Sequence, residues 1–247
     1  MPRQGSRRDK RFTRERPPDP QSPETPWRLF LALPLPDPVR ELATTLITRL
    51  AADENIPARW VDPARAHVTV QFIGEVPRER AELIRLALPQ VVRAHQVFQL
   101  RTADLGTFPN IRRPRVLWLG LHGPVHRLNA IHQDITTALA EMEVPHETGP
   151  LQPHITLGRV RSEPGIKISR IPDAVRGRYE ELMAEGLGSM RAPIPVPVDE
   201  VVLYRSLLRA GGPTYEVAER FALAPRQSGG TPLPDSGSTA SSDLATR

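Results

Sequence analysis

One short phrase occurs twice in this chain. His67-Val68-Thr69-Val70 returns as His154-Ile155-Thr156-Leu157: histidine, a β-branched residue, threonine, an aliphatic residue. Branched and aliphatic residues at this density favour a pleated, half-buried strand. In a strand, residues i and i+2 share a face. His67 and Thr69 therefore point one way, as do His154 and Thr156. Val68, Val70, Ile155 and Leu157 point the other way, toward a core. Two such strands set together line a cleft with two imidazoles and two hydroxyls. With only 7 His in 247 residues, a chance recurrence of the whole phrase is on the order of one in a hundred.

That set of groups suits cleavage of a phosphodiester, and hydrolysis of a cyclic one illustrates what is needed. The reaction needs a base for the attacking water, an acid for the leaving ribose oxygen, and donors for the phosphoryl oxygens. An imidazole titrates near neutrality, so one histidine can be neutral while the other is protonated. The hydroxyls of Thr69 and Thr156 can donate to nonbridging oxygens. Arg159 offers a planar fork for phosphate. It lies at an odd offset from His154, which in an unbroken strand places it on the opposite face. Gly158 offers the bend or bulge that brings it round.

The absence of cysteine excludes disulfides, thiolate nucleophiles and thiolate metal sites. No carboxylate or Cys pattern suggests a metal, so no cofactor and no metal are expected. No apolar run reaches the ~20 residues of a membrane span. A cytoplasmic monomer without membrane association or an obligate protein partner is the expectation. The charge is uneven. Arg3, Arg7, Arg8, Lys10, Arg11, Arg14 and Arg16, set against Asp9 and Glu15, already supply the whole chain's formal +5. The high pI thus describes a tail more than a basic fold, and such a tail can hold RNA loosely.

Residues 1–26 read as a disordered basic, Pro-rich tail and residues 225–247 as a second disordered tail. The folded unit is 27–224, with two lobes. Strands are expected at 28–33, 59–61, 66–73, 97–105, 116–121, 153–160, 198–204 and 215–221. The last two form a hairpin around Gly211-Gly212. Helices are expected at 37–52, capped by Asp37, and at 79–93, with Leu83, Ile84, Leu86, Ala87 and Val91 inward. Two more are expected at 125–142 and 172–185. Gly106 to Asn110 is read as a break. Each half runs strand, helix, motif strand. The class is α+β with antiparallel sheets.

The paired His-x-Thr phrases resemble those of the two-histidine phosphoesterases, most closely the LigT-like RNA 2′,3′-cyclic phosphodiesterases formerly called 2′-5′ RNA ligases. The resemblance also runs through Arg28-Leu29-Phe30-Leu31-Ala32-Leu33, Gln71-Phe72-Ile73-Gly74-Glu75-Val76 and Gly106-Thr107-Phe108-Pro109. It continues in Arg115-Val116-Leu117-Trp118-Leu119-Gly120, in 153–159 and in Val201, Leu203, Tyr204, Arg205 and Ser206. The tails and a stretch at 163–191 match nothing. The resemblance implies a bilobal, pseudo-twofold α+β fold with a central cleft and helices outside. It implies metal-independent opening of an RNA 2′,3′-cyclic phosphate to a 2′-phosphate, with RNA ends or cyclic nucleotides as substrate. His67 maps onto the general acid and His154 onto the general base. Thr69, Thr156 and Arg159 map onto phosphate binding.

Other functions compatible with these residues are a noncatalytic RNA-binding module, reversible 2′-5′ joining of RNA ends, or action on another cyclic nucleotide. Phe108, at the Gly/Pro break, is a candidate for stacking on a nucleobase. Phe72 is a second candidate for stacking but, at an odd offset from His67, is expected in the core, as is Trp118. His122 and His126 have zinc-like spacing but no third ligand pattern, and they are read as structural, like His95, His132 and His146.

Overall fold

Alternating apolar residues drive most of this chain into strands whose two faces meet different surroundings. The computed structural model describes residues 25–161, 170–209 and 212–226. In chain order these residues form β1 (Trp27–Pro34), α1 (Asp37–Ala51), β2 (Ala58–Trp60), a 3₁₀ turn (Pro63–Arg65), β3 (His67–Val76) and α2 (Arg78–Arg93). They continue as β4 (Phe98–Phe108), β5 (Val116–His122), α3 (Val125–Glu141), β6 (His154–Val160), α4 (Ile171–Ala184), β7 (Pro195–Val198), β8 (Glu200–Arg209) and β9 (Gly212–Ala222).

The strands make one nine-stranded sheet in the order β7-β4-β5-β6-β3-β1-β8-β9, with β2 added alongside β6. Every ladder is antiparallel. The two motif strands, β3 and β6, are neighbours at the centre, joined through Val68 opposite Ile155. On either side lies a four-stranded half, so the two lobes are halves of one curved sheet. Their inner ladders share a register. Pro34, Leu33, Ala32, Leu31 and Phe30 face His67, Val68, Thr69, Gln71 and Phe72. Gly120, Leu119, Trp118, Leu117 and Val116 face His154, Ile155, Thr156, Gly158 and Arg159. The pseudo-twofold implied by the resemblance is therefore present at the paired positions of these inner ladders.

One sheet face carries Leu31, Leu33, Val68, Val70, Leu117, Leu119, Ile155 and Leu157, all buried in a single apolar cluster with the inward residues of the four helices. Such burial contributes about 1.5–3 kcal/mol per large side chain and fixes which face the motif histidines are left with. Helix α2 packs on α3, and α1 on α4.

Several expectations are corrected. Asp37 does not cap α1. Pro36 occupies the N-cap, and the Asp37 carboxylate pairs with Arg40 inside the first turn. Helix α2 buries Ala81, Ile84, Leu88 and Val92, a stripe of spacing three and four. Leu83 and Leu86, expected inward, are exposed. The break read over Gly106 to Asn110 begins later than Gly106, after Phe108. Strand β4 runs on to Phe108 because Gly106, opposite Trp118, leaves room for the indole, whose ring carbon lies 2.2 Å from where a Cβ would stand. Strand β7 was not anticipated, since Pro195 and Pro197 argue against a strand. It forms at the sheet's edge, with Val196 and Val198 buried and the prolines exposed, where missing N–H donors cost little. The two tails and residues 163–169 of the unmatched stretch fall almost wholly outside the described residues.

Candidate active site

Each motif strand carries a bulge just after its His-x-Thr. In β3 the partner register steps from Ala32–Thr69 to Leu31–Gln71, leaving Val70 as the extra residue. In β6 it steps from Trp118–Thr156 to Leu117–Gly158, leaving Leu157 extra. A bulge reverses the alternation beyond it. Arg159, at an odd offset, therefore lies on the same face as His154 and Thr156, as Gly158 suggested. Gly158 turns to the helix side, where a Cβ would stand 2.7 Å from the Trp60 ring. The same step carries Phe72 out of the core expected for it. It is 46% exposed and lines the cleft with His67 and Thr69.

The two imidazoles are held alike. His67 Nδ1 lies 2.8 Å from the carbonyl oxygen of Arg65. His154 Nδ1 lies 2.7 Å from that of Gln152. A carbonyl only accepts, so each Nδ1 carries the proton and each Nε2 is left free for chemistry. Burial pushes His67 below its ordinary pKa; the Arg65 carbonyl opposes this, and the charge of a protonated His154 adds to it. Burial likewise lowers His154, against the Gln152 carbonyl, with the Arg159 guanidinium lowering it further. The Arg65 anchor is itself braced by Asp62 and by the carbonyl of Pro213.

His67, Thr69, His154, Thr156, Arg159 and Phe108 all line one cleft of about 760 Å³. Phe108 meets His154 edge-on at 4.9 Å between ring centres. Trp118, expected in the core, is on the cleft face opposite Thr156. Leu117 and Leu119 take the helix side, and the indole packs against Phe108 at 5.1 Å. On the His67 side the rings are Phe30 at 4.9 Å and Tyr215 at 5.4 Å. Arg28, Arg65, Glu147, Ser206 and Tyr215 also line the cleft and were not singled out from the sequence. Arg28 and Phe30 had a signal in the alternation of β1, opposite in parity to buried Leu29, Leu31 and Leu33. Tyr215 had none, because hairpin register decides where it points.

The other histidines have structural settings. His95 meets Asp134 at 2.9 Å. His132 lies between the carbonyls of Val70 and Gly149. His146 bonds the carbonyl of Val144. His122 and His126 gather no metal-binding group among the described residues, and no described helix is long and apolar enough to cross a membrane.

Known proteins resemble this chain in sequence and fold. An RNA 2′,3′-cyclic phosphodiesterase of Methanothermobacter thermautotrophicus is 30% identical over 79% of this chain and 98% of its own length. A solved structure from Thermus thermophilus superposes with TM-score 0.61 at 26% identity, covering 81% of this chain and all of that one. Escherichia coli LigT complexed with 3′-AMP gives 0.59 at 27% identity, over 80% and 98% of the two chains. The model of the 2′-5′ RNA ligase superfamily matches residues 35–209. With the match spanning both motif strands and the helices between them, the chain belongs to the 2′-5′ RNA ligase superfamily.

Proposed function

We propose that this protein hydrolyses 2′,3′-cyclic phosphate ends of RNA to 2′-phosphates, using His67 as general acid and His154 as general base. The observation that carries the reading is the pair of imidazoles with Nδ1 tied to carbonyls of Arg65 and Gln152 and Nε2 free in one cleft. Relatives named RNA 2′,3′-cyclic phosphodiesterase support the substrate class.

In this mechanism His154 Nε2 takes a proton from water as its oxygen attacks phosphorus. The bond to O3′ breaks in line, and Nε2–H of His67 delivers a proton to that oxygen. The Thr69 and Thr156 hydroxyls and the Arg159 guanidinium donate to the nonbridging oxygens, where charge builds. Thr156 and Arg159 follow His154 on one strand, which holds phosphate and base together. Burial biases both imidazoles toward neutrality. The bound anion is then what favours the protonated acid, so proton and substrate arrive as a coupled pair.

The catalytic unit is taken as residues 27–224, acting as a cytoplasmic monomer that needs no protein partner. The test incubates the protein with adenosine 2′,3′-cyclic phosphate in excess chelator and identifies the product by phosphorus NMR. The expected product is the 2′-phosphate. A 3′-phosphate overturns the roles. Activity lost with chelator and restored by metal overturns the mechanism. Joining to an added 5′-hydroxyl RNA points to ligation, and binding without turnover to a noncatalytic module.

A further inference from the structure

Near-neutral overall charge in the folded part hides a segregation. Three segments distant in sequence meet at one end of the cleft. Strand β2 pairs with β6 so that Arg59 stands opposite Arg159. On its other side β6 pairs with β5, with Val116 opposite Arg159. The backbone continues the seam, with Val160 N–H donating to the Arg115 carbonyl and Arg161 N–H to that of Pro57. Arg112 and Arg113 sit in the turn just before β5, their N–H groups bound to the Asn110 side chain.

Arg59, Arg112, Arg113, Arg115, Arg159 and Arg161 are all exposed. None has a carboxylate within ion-pair distance among the described residues, and the segments 57–60, 109–116 and 157–161 contain no Asp or Glu. Arginines on the helices are placed differently. Arg49 meets Glu181 and Glu185, Arg85 meets Glu82 and Glu219, and Arg178 meets Asp53 and Glu181. Like charges gathered with no paired carboxylate among the described residues repel one another, and a bound polyanion relieves that repulsion.

We propose that this arginine cluster is the track for the RNA strand leading to the cyclic end. The inference rests on the reaction proposed above and deepens it: the preferred substrate is a single-stranded oligoribonucleotide, not a mononucleotide. Arg159 belongs to both regions. It stands beside His154 in the cleft and beside Arg59 on the track. The terminal phosphate is held by Arg159, and the preceding phosphates pass over the ends of β2, β6 and β5. Adjacent strands lie about 4.8 Å apart, so the guanidinium groups are spread across the surface rather than focused on one ion. The groups contact backbone phosphates, so the track reads no sequence.

The test uses the full chain and the triple variant R112A/R113A/R161A, with R112K/R113K/R161K as the charge-preserving control. Anisotropy measures binding of a labelled single-stranded oligoribonucleotide bearing a 2′-phosphate end, across a salt series. Turnover is measured on the same sequence with a cyclic end and on adenosine 2′,3′-cyclic phosphate. In the alanine variant Kd for the oligonucleotide is expected to rise at least tenfold at low salt. Its log–log salt slope should fall by about 2, at about 0.7 per lost phosphate contact. The lysine variant should stay near wild type, and kcat/KM for the mononucleotide within twofold. Unchanged Kd and slope overturn the track, as does an equal loss on mononucleotide and oligonucleotide. Displacement of the RNA by a glutamate-rich peptide at matching concentration overturns it in favour of an acidic protein partner. If neither substrate turns over while arginine-dependent binding persists, the proposed reaction fails and the track stands.

Discussion

The half of the sheet around His67 and the half around His154 are built on one plan and finished differently. Both have the same ladder register, a bulge after His-x-Thr, and an Nδ1 anchor two residues upstream. The bulge turns the fifth residue past each histidine into the cleft: Phe72 from one strand, Arg159 from the other. Around His67 lie Phe30, Tyr204 and Tyr215. Beside His154 the arginine cluster begins. A symmetric frame can position an acid and a base but cannot tell them apart. In the mechanism proposed above these two residues distinguish the halves, Phe72 adding a ring to one and Arg159 a cation to the other.

The largest effect should come from breaking both halves alike. His67→Ala and His154→Ala should each lower kcat by about 100-fold or more. The double variant should be far less than multiplicatively worse, because the two groups act as a unit. Steady-state rates on a cyclic mononucleotide measure this, and wild-type turnover by either single variant contradicts it.

Breaking one half only should separate the roles of the fifth residues. Arg159→Gln removes charge-assisted bonds of roughly 1.5–3 kcal/mol, about 10- to 100-fold in kcat/KM. It should also move the pH profile. Arg159 lowers the His154 pKa, so removing it raises that pKa and shifts the acid limb of kcat/KM upward. In the wild type both imidazoles lie below their ordinary value, so the bell in kcat/KM should centre on the acidic side of about 6.5. An acid limb unmoved by the substitution detaches Arg159 from His154. Phe72→Ala should act more mildly and elsewhere, raising KM for a nucleotide about tenfold, as expected for one lost base stack, with kcat little changed. A fall in kcat at constant KM contradicts that role.

The smallest effect concerns the frame itself. Gly158→Ala places a methyl against Trp60, and overpacking of this kind costs about 1–3 kcal/mol. Tm should fall, and Trp60→Leu should restore part of it. An unchanged Tm removes the steric account of the glycine.

The alternation of the motif strands and the paired histidines were legible because strand parity is a local property. Arg159 was legible only through Gly158. Phe72 was not, because Gln71, unlike glycine, gives no hint of a bulge; its amide reaches the carbonyl of Glu147, a contact set by tertiary structure. Trp118 looked like core because its neighbours are apolar, yet two flanking leucines already claim the helix side. Strand β7 was hidden by prolines that only an edge tolerates. The arginine cluster was hidden by arithmetic: a net charge says nothing about which segments a fold brings side by side.

The assignment of unlike roles to like histidines is tested most directly with a leaving group that needs no proton. A 2′,3′-cyclic nucleotide analogue with sulfur bridging at the 3′ position expels a thiolate, which departs without an acid. The variant His67→Ala should hydrolyse this analogue at close to the wild-type rate while remaining impaired on the oxygen substrate. His154→Ala, lacking the base, should be impaired on both. Rescue of His154→Ala instead of His67→Ala would reverse the roles, and rescue of neither would contradict general acid catalysis by this pair.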